Sequence, residues 1–163
     1  MLNPIASLLL TTAILSPVTL PPNQADILIS QRMSCETAIF NMESRIKDGR
    51  KITLAFNFRQ LSPEWQQGAP PQRIYQLLVI MGELRQPQPV DAVMNSNQML
   101  TAMATQVIDS CPNIGAVTYS KKHTGDIRTF GLLTNGVREF DCAAPLDRNN
   151  PRRIIPWGQQ FCG

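Results

Sequence analysis

The sequence has a single histidine, His123, and lacks most of the short motifs that carry chemistry. It contains no G-x-S-x-G elbow, and no cysteine is expected to be free, so nucleophilic catalysis lacks its partners. No Gly-rich phosphate loop leads from a strand into a helix, no EF-hand spacing occurs, and no cofactor is implied. No two cysteines are close enough for a C-x-x-C redox pair. With one histidine available, the same wide spacing argues against zinc. An excess of charge of one sign is also lacking. The net charge is +3, and the basic clusters, Lys121-Lys122 and Arg148 with Arg152-Arg153, are too small for a nucleic-acid footprint. Six methionines (Met33, Met42, Met81, Met94, Met99 and Met103) raise a copper reading. Several lie on apolar helical stripes, where methionine fills gaps in a core.

The first twenty residues, "MLNPIASLLLTTAILSPVTL", carry no charged side chain. Their apolar run is broken by Pro17 and is short for a membrane span, but it suits the hydrophobic region of a secretory signal. Only the α-amino charge precedes the run, and the best cleavage point follows Ala25, with Asn23 three positions back. The alternative is an uncleaved N-terminal anchor. Cleavage leaves about 138 residues, 26–163, enough for one domain with a substantial core and no integral membrane span. Thirteen prolines imply many loops.

All four cysteines (Cys35, Cys111, Cys142 and Cys162) follow the signal segment, and an even count in an exported chain implies disulfides. Two helices rank the three pairings. Cys35, Ala38, Ile39, Met42 and Ile46 form one face of a helix that Ser34 can cap and Gly49 can end. Leu100, Met103, Ala104, Val107, Ile108 and Cys111 form a second stripe, with Ser96 or Asn97 as cap and Pro112 as stop. Cys35 opens one helix on its buried face and Cys111 closes the other. Antiparallel packing therefore favours Cys35–Cys111 and leaves Cys142–Cys162, which returns the tail to a strand end and sets Trp157 against that bond.

"KITLAFNFRQ" alternates as a half-buried strand, and "RIYQLLVIMG" reads as a strand buried on both faces. Between them "LSPEWQQGAPPQ" is a long loop with at most one helical turn, started by Ser62 and Pro63. "VDAVMNS" makes another helical turn. After Pro112, "HTGD" and "TNG" separate three β-type runs. A three-residue loop Thr134-Asn135-Gly136 would set Phe130 opposite Phe140 and Leu132 opposite Arg138, with Gly136 left-handed. The fold class is α+β: an antiparallel sheet of about five strands, two main helices on one face, and two disulfides.

Three groups invite a catalytic reading. His123 has Asp126 as its nearest orienting carboxylate, but both sit in one hairpin turn. Glu139 and Asp141, two apart on a strand, share a face, and their carboxyl groups could approach to about 5–8 Å, the range of a glycosidase pair. Glu64 beside Trp65 suits a sugar site. The blander readings are a solvated turn, the solvent face of a hairpin, and a tryptophan covering the edge of the core.

The segments "VMNSNQMLTAMATQVIDSC", "IGAVTYS", "TFGLLTNGVREFDC" and "PWGQQFC" resemble a family of small exported cyanobacterial proteins. That family shows a helix ending in cysteine, an F-G-L segment, an F-x-C strand end and a closing W-G-x-x-x-C. The resemblance spans about residues 73–163, implies an extracytoplasmic setting (periplasm, thylakoid lumen or outside the cell), and carries over no catalytic residue. The reading reached from the sequence is an exported, non-enzymatic binding or accessory domain whose partner is an envelope protein or a saccharide. Its contact surfaces fall on the 60–72 loop with Trp65 and on the 143–160 tail with Arg148, Arg152, Arg153 and Trp157, because long loops in compact domains are often functional. The alternatives are a cell-envelope polysaccharide or peptidoglycan hydrolase, and an inhibitor or chaperone-like partner of an envelope enzyme.

Intact-mass measurement tests both premises. Protein recovered from its native compartment is expected to lack the N-terminal segment and to take up alkylating reagent at four cysteines only after reduction. Alkylation without reductant would refute the disulfide reading.

Overall fold

The computed structural model describes residues 33–83, 88–143 and 155–162. The expected signal segment with its expected cleavage point, and Arg148, Arg152 and Arg153, lie outside the described residues.

Helix α1, Cys35–Lys47, begins where Ser34 accepts a hydrogen bond from the Thr37 amide at 3.2 Å. It ends before Gly49, which takes φ +72°, a conformation that costs glycine little. Glu43 and Lys47 pair along its exposed side at 2.6 Å. Strand β1, Ile52–Gln60, follows, then the short helix α2, Pro63–Gly68, and strand β2, Tyr75–Glu83. Helices α3, Gln88–Met94, and α4, Asn97–Ser110, lead to strands β3, Ile114–Lys121, β4, Ile127–Leu133, and β5, Gly136–Glu139. Two short strands, β6 (Asp141–Cys142) and β7 (Gln159–Gln160), pair with each other in parallel. Ser96 stands at the α4 cap position without a side-chain cap bond. At the far end of α4, the Arg73 guanidinium donates to the Ile108 and Ile114 carbonyls, both at 2.7 Å, and so satisfies a carbonyl the helix leaves open.

Both expected disulfides are present. Cys35 and Cys111 have Cα atoms 4.8 Å apart, and Cys142 and Cys162 5.4 Å apart. The first bond joins the opening residue of α1 to the residue after α4. The start of one helix therefore lies at the end of the other, over a core containing Met42, Ile46, Leu100, Met103, Val107 and Ile108.

The five main strands form one sheet in the order β1-β2-β3-β4-β5. Three pairings are antiparallel, but β2 and β3 run parallel, so the sheet is mixed and not wholly antiparallel. The cause is the connection. The chain leaves β2, crosses one face of the sheet through α3 and α4, and re-enters at the same end, as parallel neighbours require. β3 has the matching character, being buried from Ile114 to Tyr119 on both faces.

The β4–β5 register also differs from the expected one. Phe130 pairs with Glu139, Leu132 with Val137 and Leu133 with Gly136, leaving Thr134-Asn135 as the loop and Gly136 at φ +100°. Phe130 and Phe140 consequently point to opposite faces. Phe130 enters the helix-side core against Tyr119, at 5.7 Å between ring centroids, while Phe140 enters an aromatic layer on the other face. Both rings are buried, one on each face of the sheet. Tyr119 is fully buried and its hydroxyl donates to the Leu100 carbonyl at 3.3 Å. Burial pushes its phenol well above the ordinary value, against a smaller lowering effect of Arg45.

The disulfides close loops of different length, with sequence separations of 76 and 20. Replacing Cys35 and Cys111 together by alanine is expected to cost about 4.5 kcal/mol, and replacing Cys142 and Cys162 about 3 kcal/mol. Urea denaturation checks the order; a larger loss at the second pair would contradict it.

Candidate functional site

The sheet has two unlike faces. Helices α1, α3 and α4 bury one. The other carries α2 and the C-terminal tail, and between them lies a cleft of about 400 Å³.

Its floor comes from three adjacent strands. Gln76 of β2, Thr118 of β3 and Thr129 of β4 point to this face, and their side chains form a row. Gln76 Nε2 donates to Thr118 Oγ1 at 2.8 Å, and the Thr118 and Thr129 hydroxyls lie 2.9 Å apart. Gln160 extends the row. Its Oε1 accepts from the Thr129 amide at 2.8 Å and its Nε2 donates to the Phe140 carbonyl at 2.9 Å. The side-chain amide thus continues the β4–β5 ladder where β5 stops. Thr118, Thr129 and Gln160 are the buried polar residues of the described chain, and all three line this cleft.

The walls come from α2 and the tail. Ser62 accepts from the Trp65 amide, Pro63 occupies the first turn, and Gln66 Nε2 donates to the Leu61 carbonyl at 2.7 Å. Together these fix the short helix that presents Glu64 and Trp65. Trp65 meets Phe140 edge to face at 5.3 Å and Trp157 at 5.9 Å, and Phe140 meets Trp157 at 4.9 Å. Trp157 is anchored by its indole N–H, which donates to the Leu132 carbonyl at 3.1 Å. Ile127, Ile155 and Phe161 complete the lining, with Phe161 half exposed. Glu64 is the one ionisable group of the lining among the described residues.

The structure brings together some of the expected site residues and separates others. Trp65 and Trp157 share the aromatic trio, so the ring contacts of Trp157 are with Trp65 and Phe140. Glu64 lies in the cleft beside Trp65. Glu139 is held by the Arg128 guanidinium through two bonds, one of them 2.7 Å, and borders a different depression with Asp91 and Asp126. Asp91 is paired with Lys121 at 2.6 Å. Asp141 borders a third depression beside Trp157 and the β4–β5 turn. Glu64, Glu139 and Asp141 therefore line three different depressions, the first two adjoining at Ile127 and Gln160. His123 is exposed at φ +63° in the β3–β4 turn, where the Thr124 hydroxyl receives the Asp126 amide. Met42, Met81, Met94 and Met103 are core residues, and the Met33 sulfur accepts from Asn41 and Gln106. Among the described residues no helix is long and apolar enough to cross a membrane.

Gln76, Thr118, Thr129 and Gln160 were not identified from the sequence. Their only signal is a threonine facing inward in each of two otherwise apolar runs. Comparison with family models, curated proteins and solved structures finds no match for this chain.

Gly131 is required by the aromatic layer, because a Cβ there would overlap the Phe140 ring and lie 3.1 Å from Trp157 Cζ2. Gly131→Ala is expected to cost about 1–3 kcal/mol and to reduce the near-ultraviolet signal of the tryptophans. Gly125→Ala, with nothing within 4 Å of the added methyl group, serves as the control. Equal stability of the two variants would refute this account of the layer.

Proposed function

We propose that the chain is an exported, non-enzymatic binding or accessory domain that takes its ligand in the cleft between the open face of the sheet, α2 and the C-terminal tail. The observation that carries this reading is the concentration of buried polar side chains in the floor of one aromatic-walled cavity. These groups are paired within the protein, and the hydroxyl pair at the cleft floor keeps hydrogen-bonding capacity that an entering ligand can use. A few placed polar groups among apolar walls also match the general make-up of small-ligand clefts. Export is supported by the apolar leader, by the two disulfides and by the resemblance to small exported cyanobacterial proteins. The hydrolase reading has less support: its candidate carboxylates line different depressions, Glu139 is held by Arg128, and a glycosidase needs two carboxyl groups flanking one bond.

Immobilised, oxidised protein exposed to an envelope extract tests the proposal. It is expected to retain a component that mass spectrometry recovers intact, and Trp65→Ala is expected to lose it while melting as a folded protein. Recovery as cleaved fragments, abolished by Glu64→Gln, would replace binding by hydrolysis. Equal retention by Trp65→Ala would place the contact surface elsewhere.

A further inference from the structure

We infer that the ligand of this cleft is an uncharged saccharide; the inference rests on the binding-domain reading above and specifies its chemistry.

Charge gives the first restriction. Among the described residues no lysine, arginine or histidine lines the cleft, and Glu64 supplies one negative charge. A phosphate, sulfate or carboxylate group would lose its hydration there without meeting a cation, and would face Glu64 as well. Anionic ligands are therefore disfavoured.

Backbone pairing gives the second. An extended peptide gains affinity chiefly by adding a strand to an open sheet edge. The floor of this cleft is the interior of the sheet, where β2, β3 and β4 are paired with one another. At the point where the β4–β5 ladder ends, the Gln160 side chain already takes both the Thr129 amide and the Phe140 carbonyl. A peptide backbone finds no free ladder position there.

Proton counting gives the third. Thr118 and Thr129 carry two hydroxyl protons and share one hydroxyl–hydroxyl contact, and Gln76 approaches that pair as a donor. Each hydroxyl has one proton to give. One of the two protons is therefore left over, on a floor that is closed to bulk water except through the cleft. A purely apolar ligand would strand that proton; a ligand oxygen would accept it. Glu64, on the opposite wall, accepts from a ligand hydroxyl.

A pyranose ring meets all three conditions. It is neutral, its rim of hydroxyl groups both donates and accepts, and its C–H faces pack on aromatic surface such as Trp65 and Phe161. The cleft lies within the range of about 300–1,000 Å³ common to small-ligand sites.

The test uses the oxidised full-length domain with neutral trisaccharides (triacetylchitotriose, cellotriose and maltotriose), an acidic one (trigalacturonate) and a tripeptide (trialanine). Tryptophan fluorescence and titration calorimetry report binding. At least one neutral trisaccharide is expected to saturate, with trigalacturonate and trialanine at least about tenfold weaker. Trp65→Ala is expected to weaken binding about tenfold or more, the size of one lost aromatic anchor. Thr129→Val is expected to weaken it severalfold, with Thr129→Ser restoring it, which separates loss of the hydroxyl from loss of fold. Preferential binding of trigalacturonate or trialanine would overturn the inference, as would binding indifferent to Trp65 and Thr129. Should no neutral trisaccharide bind while an envelope component is still retained through Trp65, the saccharide assignment fails and the binding reading stands. Should neither occur, both fail.

Discussion

The bond between Cys35 and Cys111 sets the layout of the molecule. It joins the first residue of α1 to the residue that follows α4, and both lie where an apolar stripe meets the core. Two amphipathic helices locked in this way present one broad apolar surface, and the sheet covers it. Each helix alone would be marginal in water; packing supplies most of its stability. Once one face of the sheet is committed to the helices, the other is left to smaller elements. That is the setting of the cleft: among the described residues, α2 and 155–162 flank this face, and the polar row of Gln76, Thr118 and Thr129 lies between them.

The tail is held by the β6–β7 backbone pairing and by three further kinds of contact. The Gln160 amide substitutes for a missing strand, the Trp157 indole bonds the Leu132 carbonyl, and Cys162 is bonded to Cys142. The Gln160 contact is the most specific. A buried amide that lost one of its two backbone partners would leave a polar group unpaired, a penalty of about 1–3 kcal/mol. The wall of the cleft is therefore positioned by hydrogen-bond geometry, with the aromatic trio filling the space behind it.

Much of this was legible in the sequence where local chemistry decides. The ends of α1 could be read because Ser34 and Gly49 act within one turn of their own backbone. The disulfide pairing could be read because Cys35 and Cys111 each mark a helix end on its buried face. The β2–β3 direction could not, since a parallel pair is made by a crossover of two helices and leaves no short-range signal. The β4–β5 register failed for a related reason. Phe130 and Phe140 look like natural cross-strand partners if only one face of the sheet is buried, and here both faces are. Trp65 and Glu64 stood out as unusual loop residues. Thr118 and Thr129 did not, because threonine is an ordinary strand former and only the covered second face makes it a buried polar residue.

The two disulfides act on different layers, and this separates stability from recognition. Cys111 is buried with the helix-side core, whereas Cys142 and Cys162 are exposed beside the tail. The first restricts the unfolded chain over its long loop and so bears mainly on whether the domain folds. The second closes a short loop whose residues include Ile155, Gln160 and Phe161, all in the lining of the cleft. Its larger structural effect is local: it confines the wall opposite Trp65, and a confined wall loses less entropy when a ligand is bound. A cleft with one ionisable group among its described residues needs that economy, because little charge pairing offsets the ordering of loose side chains. The same reasoning accounts for the position of Trp157. Packed behind the wall and bonded to β4, it ties the tail side of the cleft to the sheet.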